Sequence, residues 1–511
     1  MRDTTRRDSA LQIALALLLA APLMAAFIGG GPVELDALTW ARIGVLARAF
    51  GRSVQLGVTS AGVAALLGIP AAWLLASRRV SVLLIALFVL PLALPAPVAV
   101  SGWVRLLAPS AASSFALQNP GTAHSFLFSV YGAGIVLGFG LWPVVALHVW
   151  PGFARARDAS YDAARLYAPP SRAFFQTILP RCRGEILAGL SLVFLLASND
   201  FATSSLLLVN SLPVEVHDQA ALGKYSVAAW TSLPLIMMAA LVCVLMTQPS
   251  NDSQASIGNA ARAHGRTGRG AAIVLVLGLV FGFLIPMLSC MHGVLSSGKA
   301  LSVSFDAGAE SLGLSARLAA AAVLIAVGMA AARIVFWPET RAHAVTSAGL
   351  FLLAIPGTFL GVALFSLQLD ATSILSGLQQ PLAWMAAGLA LRFLYVPLRL
   401  ADEAVASIDP SILESAALLG HGRTSKAMGV VLPLSSGHLA AAAALVFALV
   451  LGEVPVASIL APPGAAPATI WLFGQQHMGY DESVFALSLL LGVTTAVVIA
   501  LGAWLGKRAV L

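Results

Sequence analysis

Long apolar runs constrain this chain more than any other feature of its sequence. A helix needs about 20 apolar residues to cross a hydrocarbon core about 30 Å thick. About twelve runs have this length, near 10–29, 54–76, 82–105, 128–149, 184–209, 227–247, 270–292, 312–336, 344–369, 380–400, 437–461 and 484–506. Because 59% of the residues are hydrophobic and 10% are charged, against about 25% charged in a soluble domain, a water-soluble fold could not bury this surface. The sequence predicts an all-α membrane protein with about twelve transmembrane helices.

Prolines interrupt two of these runs. The third contains Pro91, Pro95 and Pro97, and the ninth contains Pro356. Proline lacks the backbone N–H that a helix interior uses, so it kinks or breaks a helix. In a membrane such a break is tolerated where neighbouring groups bond the freed backbone. We therefore expect the third and ninth helices to be kinked or broken.

Arginine and lysine are distributed unequally between the two sides of the predicted membrane. With the N-terminus inside, the outside segments hold few of them: Arg42, Arg48, Arg52, Lys224 and Lys299. The positive-inside rule then places both termini in the cytoplasm, with the polar segments around 150–183 and 414–433. The first run, after Arg2, Arg6 and Arg7, also has the pattern of a signal peptide, but its length of about 20 residues favours a spanning helix.

The sequence repeats itself at an offset of about half its length. Residues 178–207 align without a gap on residues 431–460, so that Leu179-Pro180 falls on Leu432-Pro433. Internal similarity at a fixed offset indicates two copies of one structural unit.

This repeat divides the chain into two parallel units. We expect a first six-helix half at 1–247 and a second at 270–511. The residues between them, 248–269, are rich in Ser, Asn, Gly and Arg and are predicted to be a flexible cytoplasmic linker.

Each half places one long polar segment between its fourth and fifth helices. In the second half, Asp409-Pro410 is a helix-start signal, and Gly420 and Gly422 permit a sharp turn. Two short helices around such a turn form a compact knob, which suits docking into a groove of a cytoplasmic partner. The alternative is an interfacial helix that only lies on lipid. The recurrence of the segment in both halves favours docking.

The second polar segment resembles the EAA motif, the signature of type I permease subunits of ABC importers. In this motif E-A-A is followed by G and, further on, by I-x-L-P. Glu414, Ala416, Gly420 and Pro433 stand at the family's spacing, and Ser415 replaces the second residue of the motif.

The first polar segment, YDAARLYAPPSRAFFQTILP, is a degenerate copy of the same motif. Tyr161 stands where Glu belongs and Tyr167 where Gly belongs, with Asp162 one position late. Ala163 and Pro180 are retained. The resemblance therefore assigns both segments to ATPase coupling and predicts that damage to the first is less harmful.

The resemblance carries further expectations. A fused pair is similar to the permeases of ferric-iron, thiamine and phosphonate importers: two six-helix type I ABC permease repeats that form the substrate pathway in the bacterial inner membrane. Its implied partners are two copies of a cytoplasmic ATP-binding subunit, an extracytoplasmic substrate-binding protein and membrane lipid. Glu414 would contact the ATPase, Gly420 would make the turn, and ATP would be bound by the partner, with no cofactor in this chain.

One stretch, GVLSSGKA at 293–300, approaches a phosphate-binding loop. Ala300 stands where Ser or Thr would hold Mg²⁺, and the stretch follows a membrane helix rather than a strand. We therefore expect a transport subunit that does not hydrolyse ATP. The histidines and cysteines show no metal-ligand spacing. The net charge of +7 comes from arginines scattered between apolar runs, which favours contact with anionic lipid over nucleic acid.

A second transporter class also fits twelve helices in two parallel halves. Secondary transporters of the major facilitator type carry a G-x-x-x-D-R-x-G-R-R-like loop after the second helix. The corresponding loop here, ASRRVS at 76–81, lacks the Asp and the Gly. ATP dependence of uptake separates the two classes.

Two acids occupy equivalent positions in the fifth helix of each half. Asp200 falls on Glu453 at the repeat offset, in the outer part of the predicted membrane. An acid at such depth is costly in lipid, so both are predicted to face the protein interior or a water-filled cavity. One interpretation is that they are pathway residues, which would favour a small cation such as ferric iron or thiamine. The alternative is that each acid is a hydrogen-bonded helix-end group.

Overall fold

The fold is described by a computed structural model. It covers Leu23, Phe27 and residues 40–77, 82–107, 125–246, 269–297, 301–337, 343–369, 380–420, 422–479 and 482–510. Every regular element in these ranges is helical, which confirms the predicted all-α class. Most of the predicted first span, 10–29, and of the linker, 248–269, lies outside the described residues.

The N-terminal part of the structure, residues 40–246, is built from twelve described helices. They are α1 Trp40–Ser77, α2 Val82–Ala93, α3 Ala96–Leu107, α4 Val130–Ala156, α5 Ala159–Tyr167, α6 Pro170–Ala173, α7 Leu179–Arg181, α8 Arg183–Ser198, α9 Ala202–Leu206, α10 Leu212–Ala221, α11 Tyr225–Thr231 and α12 Leu233–Met246. A π-helical turn, Phe174–Ile178, joins α6 to α7.

The C-terminal part, residues 269–510, continues the numbering. Its described helices are α13 Arg269–Leu279, α14 Ile285–Ser297, α15 Leu301–Phe336, α16 His343–Ala354, α17 Gly357–Leu369, α18 Pro381–Arg392, α19 Tyr395–Ser407, α20 Pro410–Leu418, α21 Arg423–Lys426, α22 Leu432–Leu451, α23 Pro455–Leu460, α24 Ala468–Met478 and α25 Glu482–Val510. π-Helical turns lie at Val280–Leu284 and Ala427–Val431.

Six to ten helices of the described chain are long and apolar enough to cross a membrane. Six are helical segments without a sharp bend, two of which run through the π-helical turns at Val280–Leu284 and Ala427–Val431. Four more are bent pairs: α2 with α3, α11 with α12, α16 with α17, and α18 with α19. Large apolar side chains such as Leu66 and Leu324 are each 75% exposed, as expected where lipid covers the protein. The chain is therefore described as a multi-pass membrane protein.

Two of the bent pairs confirm the expectation drawn from prolines. The axis turns by 80° between α2 and α3 and by 104° between α16 and α17. The breaks fall at Pro95 and Pro356. Pro91 instead lies inside α2, and Pro97 lies in the first turn of α3, where the missing N–H is tolerated.

The fifth and eleventh apolar runs differ from the sequence expectation. They are not continuous helices over 184–209 and 437–461, because α8 ends at Ser198 and α22 ends at Leu451. Asn199 and Gly452 follow these ends, and both are poor helix formers. Pro455, which has no backbone N–H to donate, starts the next helix, α23. Asp200 and Glu453 therefore lie in breaks rather than along a helix.

Helices of the N-terminal and C-terminal parts pack against each other. The first long helices of the C-terminal part, α13 and α14, pack against α1 and α3 of the N-terminal part, and α25 packs against α2. Phe27 contacts Trp230 and, across the parts, Phe359. One continuous buried core joins Trp142 of one part to Phe359 of the other.

Arg392 bonds the carbonyl end of the half-helix α16. Its Nη1 donates to the carbonyl oxygens of Leu352, Leu353 and Ile355 at 3.3, 2.9 and 2.5 Å. The remaining carbonyl of this turn, that of Ala354, accepts from Asn199 Nδ2 at 2.5 Å. The last four carbonyls of a helix have no N–H partner within the helix. These two side chains therefore supply the hydrogen-bond donors that the carbonyls lack at the break.

Arg392→Met should lower the Tm of the detergent-solubilised protein. The change leaves buried carbonyls without a donor, at about 1–3 kcal/mol for each. Arg399→Met is the matched control, because Arg399 is 47% exposed and pairs with Glu403, and such pairs contribute about 0–1 kcal/mol. Thermal shifts of equal size in the two variants would contradict the capping role.

Candidate functional site

The two predicted coupling segments contain the same elements in the same order. A nine-residue helix, α5 or α20, comes first. A four-residue helix, a five-residue π-helical turn and a Leu-Pro pair follow, and each of these is displaced by 253 residues between the two segments. The sequence repeat is thus accompanied by a repeat of local structure.

Aspartates start both nine-residue helices. Asp158 accepts hydrogen bonds from the backbone N–H groups of Ser160 and Tyr161 at 3.0 and 3.3 Å. Asp409 accepts from Ser411 N–H at 2.9 Å. Such caps satisfy donors that have no partner within the helix. These bonds lower the pKa of Asp409 below its ordinary value.

The second segment has the geometry that its glycine predicts. Gly420 adopts φ +80° directly after the α20 helix, in the left-handed region that favours glycine. Glu414 is exposed on α20, and Ala416 is buried beneath it. Pro433 lies in the first turn of α22. The tip of this knob presents Leu418 and Leu419, 89% and 79% exposed.

The first segment differs from the second at the positions that correspond to Glu414 and Gly420. Tyr161 occupies the position of the expected glutamate but is only 3% exposed, with its ring 5.7 Å from that of Trp73. Asp162 and Ala163 are exposed instead. The chain leaves α5 without a left-handed residue, because Ala168 is extended at φ −140° ahead of Pro169.

Two ion pairs hold the ends of the first segment: one joins the start of α5 to α7, and the other joins the flanking helices α4 and α8. Arg181 Nη2 lies 2.9 Å from Asp158 Oδ2, and Arg155 Nη2 lies 2.8 Å from Glu185 Oε1. The bonds from Arg181 and from the Ser160 hydroxyl hold the pKa of Asp158 well below its usual range. Pro180 is exposed between these attachments.

A buried ion pair lies close to the second segment. Arg333 Nη2 of α15 lies 2.5 Å from Asp402 Oδ1 of α19, and both side chains are almost fully buried. Thr346 Oγ1 of α16 donates to Asp402 Oδ2 at 2.7 Å. Arg423 donates to the carbonyl of Phe336 at the end of α15. The bond from Arg423 joins the segment to α15, and the bonds of Asp402 join α15 and α16 to α19, the helix that precedes the segment.

The two acids of the fifth-helix breaks each accept a backbone hydrogen bond from the helix that follows. Ser204 N–H donates to Asp200 Oδ2 at 3.0 Å, and Val456 N–H donates to Glu453 Oε1 at 3.2 Å. This is the geometry of the helix-end alternative. The acids also interact electrostatically with each other.

Glu453 nevertheless borders a small cavity. The lining includes Ser315, Met385 and Thr469, and Glu453 is 8% exposed. Arg392 interacts electrostatically with Glu453, so its charge offsets part of that of the carboxylate. The two breaks thus bring together three ionisable groups, Asp200, Glu453 and Arg392, and a small cavity beside Glu453.

Sequence reasoning missed Arg392 and Asn199, which surround the same break. An arginine inside the apolar run 380–400 was the available signal, because a charge within a membrane span marks a functional or structural site. Asn199 carried no comparable signal. Its Oδ1 is buried without a hydrogen-bond partner.

Other candidate chemistry receives no structural support. No group of three His, Cys, Asp or Glu side chains in the described ranges is arranged to hold a metal ion. Gly293 and the residues up to Ser297 continue α14 as a helix, whereas 298–300 lie outside the described residues. Cys182, Cys243 and Cys290 are buried and form no disulfide.

No protein-family model matches this sequence, and no curated protein matches it significantly.

Asp158→Ala should accelerate hydrogen exchange of the amides of α5. Loss of an N-cap costs about 1 kcal/mol, and the ion pair to Arg181 is lost as well. Because the pKa of Asp158 is lowered, its stabilising effect is complete above the ordinary aspartate pKa of about 3.9 and is lost as the pH falls towards the lowered value. Exchange is measured at neutral pH by mass spectrometry.

Asp162→Ala is the control for this experiment. Asp162 lies in the first turn of the same helix and is exposed. Acceleration as large in this variant as in Asp158→Ala would show that general loss of acidic charge, rather than the cap, is responsible.

Proposed function

We propose that this chain is a fused type I permease subunit of a binding-protein-dependent ABC importer. The observation that carries the proposal is the pair of polar knobs, whose short helix, π-helical turn and Leu-Pro pair recur at an offset of 253 residues. A single interfacial helix has no reason to recur at this offset together with its turn.

The chain would form the substrate pathway from about twelve transmembrane helices in two six-helix repeats. The N-terminal and C-terminal parts would be these repeats, and the polar knobs would lie in the cytoplasm of a bacterial cell, with the termini on the same side. The pathway would run between the two parts, where the breaks beside Pro95 and Pro356 meet those at Asn199 and Gly452. Gly452 approaches Pro95, and Gly357 approaches Glu453.

Coupling would occur at the two knobs. Each would sit in a cleft of one copy of an ATP-binding subunit, so that closure of the ATPase pair moves the knobs and shifts the pathway between inward- and outward-facing forms. Exposed Glu414 and the apolar tip at Leu418 and Leu419 supply a charged and an apolar contact. Because Tyr161 is buried, the first knob would use Leu166 and Tyr167, 80% and 91% exposed.

A secondary transporter of the major facilitator type is the competing proposal. It needs no ATPase and no docking knobs. The two capped nine-residue helices with exposed apolar tips favour a transporter that is driven by a partner protein. An extracytoplasmic binding protein would then deliver the substrate.

The substrate would be a small cation such as ferric iron or thiamine. Two carboxylates, Asp200 and Glu453, lie within electrostatic reach of each other, and Arg392 lies within reach of Glu453. Two carboxylates against one guanidinium leave one negative charge when all three are ionised. The preference for a cation therefore rests mainly on Asp200.

Glu414→Ala and Gly420→Ala should each reduce substrate-stimulated ATP hydrolysis by the purified complex without lowering the amount of folded protein. The first removes a charge from the docking face. The second places a side chain at φ +80°, which costs about 1–2 kcal/mol and distorts the knob.

Gly422→Ala and Asp162→Ala are the matched comparisons. Gly422 has φ −68° and open space around the added methyl group, so alanine fits there and activity should be retained. Asp162→Ala should cause a smaller loss than Glu414→Ala. Full activity in both Glu414→Ala and Gly420→Ala would remove the coupling role.

Asp200→Asn should reduce cation uptake into membrane vesicles that contain the complex, because it removes the charge that Arg392 does not offset. Uptake of ferric iron and of thiamine is assayed separately with isotopically labelled compounds. The Asp200→Asn/Glu453→Gln double variant keeps the shape of both side chains. Unchanged uptake and ion dependence in the double variant would exclude a cation site at the breaks.

A further inference from the structure

Four rings form a continuous row across the boundary between the two parts of the chain. His217 stacks on Phe201 with 4.3 Å between ring centroids, Phe201 lies 5.4 Å from Phe473, and Phe473 lies 4.5 Å from His477. The first two rings belong to the N-terminal part and the last two to the C-terminal part. No role in coupling or in charge selection accounts for this row.

The middle of the row is packed against the fifth-helix breaks. Phe201 and Val454 are 1% and 0% exposed and belong to one apolar cluster with Phe473. Phe201 follows Asp200 directly, and Val454 follows Glu453 directly, at the repeat offset of 253 residues. Each break therefore contributes one acid and, next to it, one apolar side chain that meets its counterpart.

Helix α24 shows where the row lies in depth. At its start Thr469 is 1% exposed and its hydroxyl lies 3.5 Å from the carbonyl oxygen of Glu453. At its end Met478 is 87% exposed. At 1.5 Å per residue this helix rises about 13 Å between the two. Phe473 and His477 lie along that rise, so the row lies between the acids and an exposed surface.

A hydrogen bond across the boundary holds the exposed end of the row. His477 Nδ1 lies 2.8 Å from the carbonyl oxygen of Phe473, which can only accept, so this nitrogen donates. In the neutral ring Nε2 is then an acceptor. Ser205 Oγ lies 3.3 Å from His477 Nε2 and can donate to it. Ser205 and His477 come from different parts of the chain, so the bond must break if the parts separate here.

We propose that the row His217–Phe201–Phe473–His477 is the closed outer gate of the substrate pathway, with Phe201 and Val454 as its plug. The inference rests on the proposed transport function, because it assumes that a pathway runs between the two parts. Apolar rings packed to exclude water block passage of an ion or a polar solute. Opening separates Phe201 from Phe473 and releases the Ser205–His477 bond.

The gate is tested by the accessibility of a cysteine beneath it. Thr469→Cys, in a background where Cys182, Cys243 and Cys290 are replaced by alanine, is exposed to a membrane-impermeant maleimide in right-side-out vesicles. The closed row should protect this thiol. Phe201→Ala should increase the labelling rate roughly tenfold or more, because truncation of a buried ring leaves a gap in the packing.

Two further variants keep the test decisive. Phe153→Ala truncates another fully buried ring outside the row and should leave the labelling rate unchanged. His477→Ala replaces an exposed side chain, so the fold should be retained. The change removes the bond to Ser205 and should also increase the labelling rate. Labelling that is unchanged in both Phe201→Ala and His477→Ala would overturn the gate.

A comparison of right-side-out with inside-out vesicles tests whether the row faces the outer side of the membrane. Faster labelling of the Phe201→Ala variant in inside-out vesicles alone would overturn the assignment of the row to the outer side. These measurements need neither substrate nor ATP. Failure of the gate therefore leaves the ATPase measurements on Glu414 variants unaffected, and failure of ATP coupling leaves the labelling result unaffected.

Discussion

A helix that stops inside a membrane must have its freed carbonyl groups bonded by protein, because no water is there to bond them. In this chain α16 stops ahead of Pro356, and Arg392 and Asn199 bond the four carbonyls from Leu352 to Ile355. One donor comes from each part of the chain. The same requirement that stabilises the break therefore also holds the N-terminal part against the C-terminal part, next to Glu453.

Features that depend on local backbone rules were predictable from the sequence. Pro95 and Pro356 break their helices, Gly420 takes a positive φ, and Asp409 starts a helix. These outcomes follow from the geometry of one or two residues. The all-helical class follows equally from the length of the apolar runs.

Features that depend on a distant partner were not predictable. Tyr161 is buried because its ring packs against that of Trp73, some 90 positions earlier in the chain. The ends of α8 and α22 were missed because apolar residues continue beyond Asn199 and Gly452, so hydropathy does not mark them. Arg392 was visible as a charge in an apolar run, but its carbonyl partners belong to another helix and follow from no spacing rule.

The solitary Arg392 has a consequence for how such a protein can evolve. Helix α4, Val130–Ala156, and the bent pair α18 and α19, which begins at Pro381 and ends at Ser407, are displaced by 251 residues at both ends, so Leu141 takes the position that corresponds to Arg392. In a dimer of identical chains every interface position occurs twice, so an arginine there would require two sets of acceptors around the symmetry axis. In a single chain each interface position occurs only once, so it can mutate without a second copy of the same residue changing elsewhere in the interface.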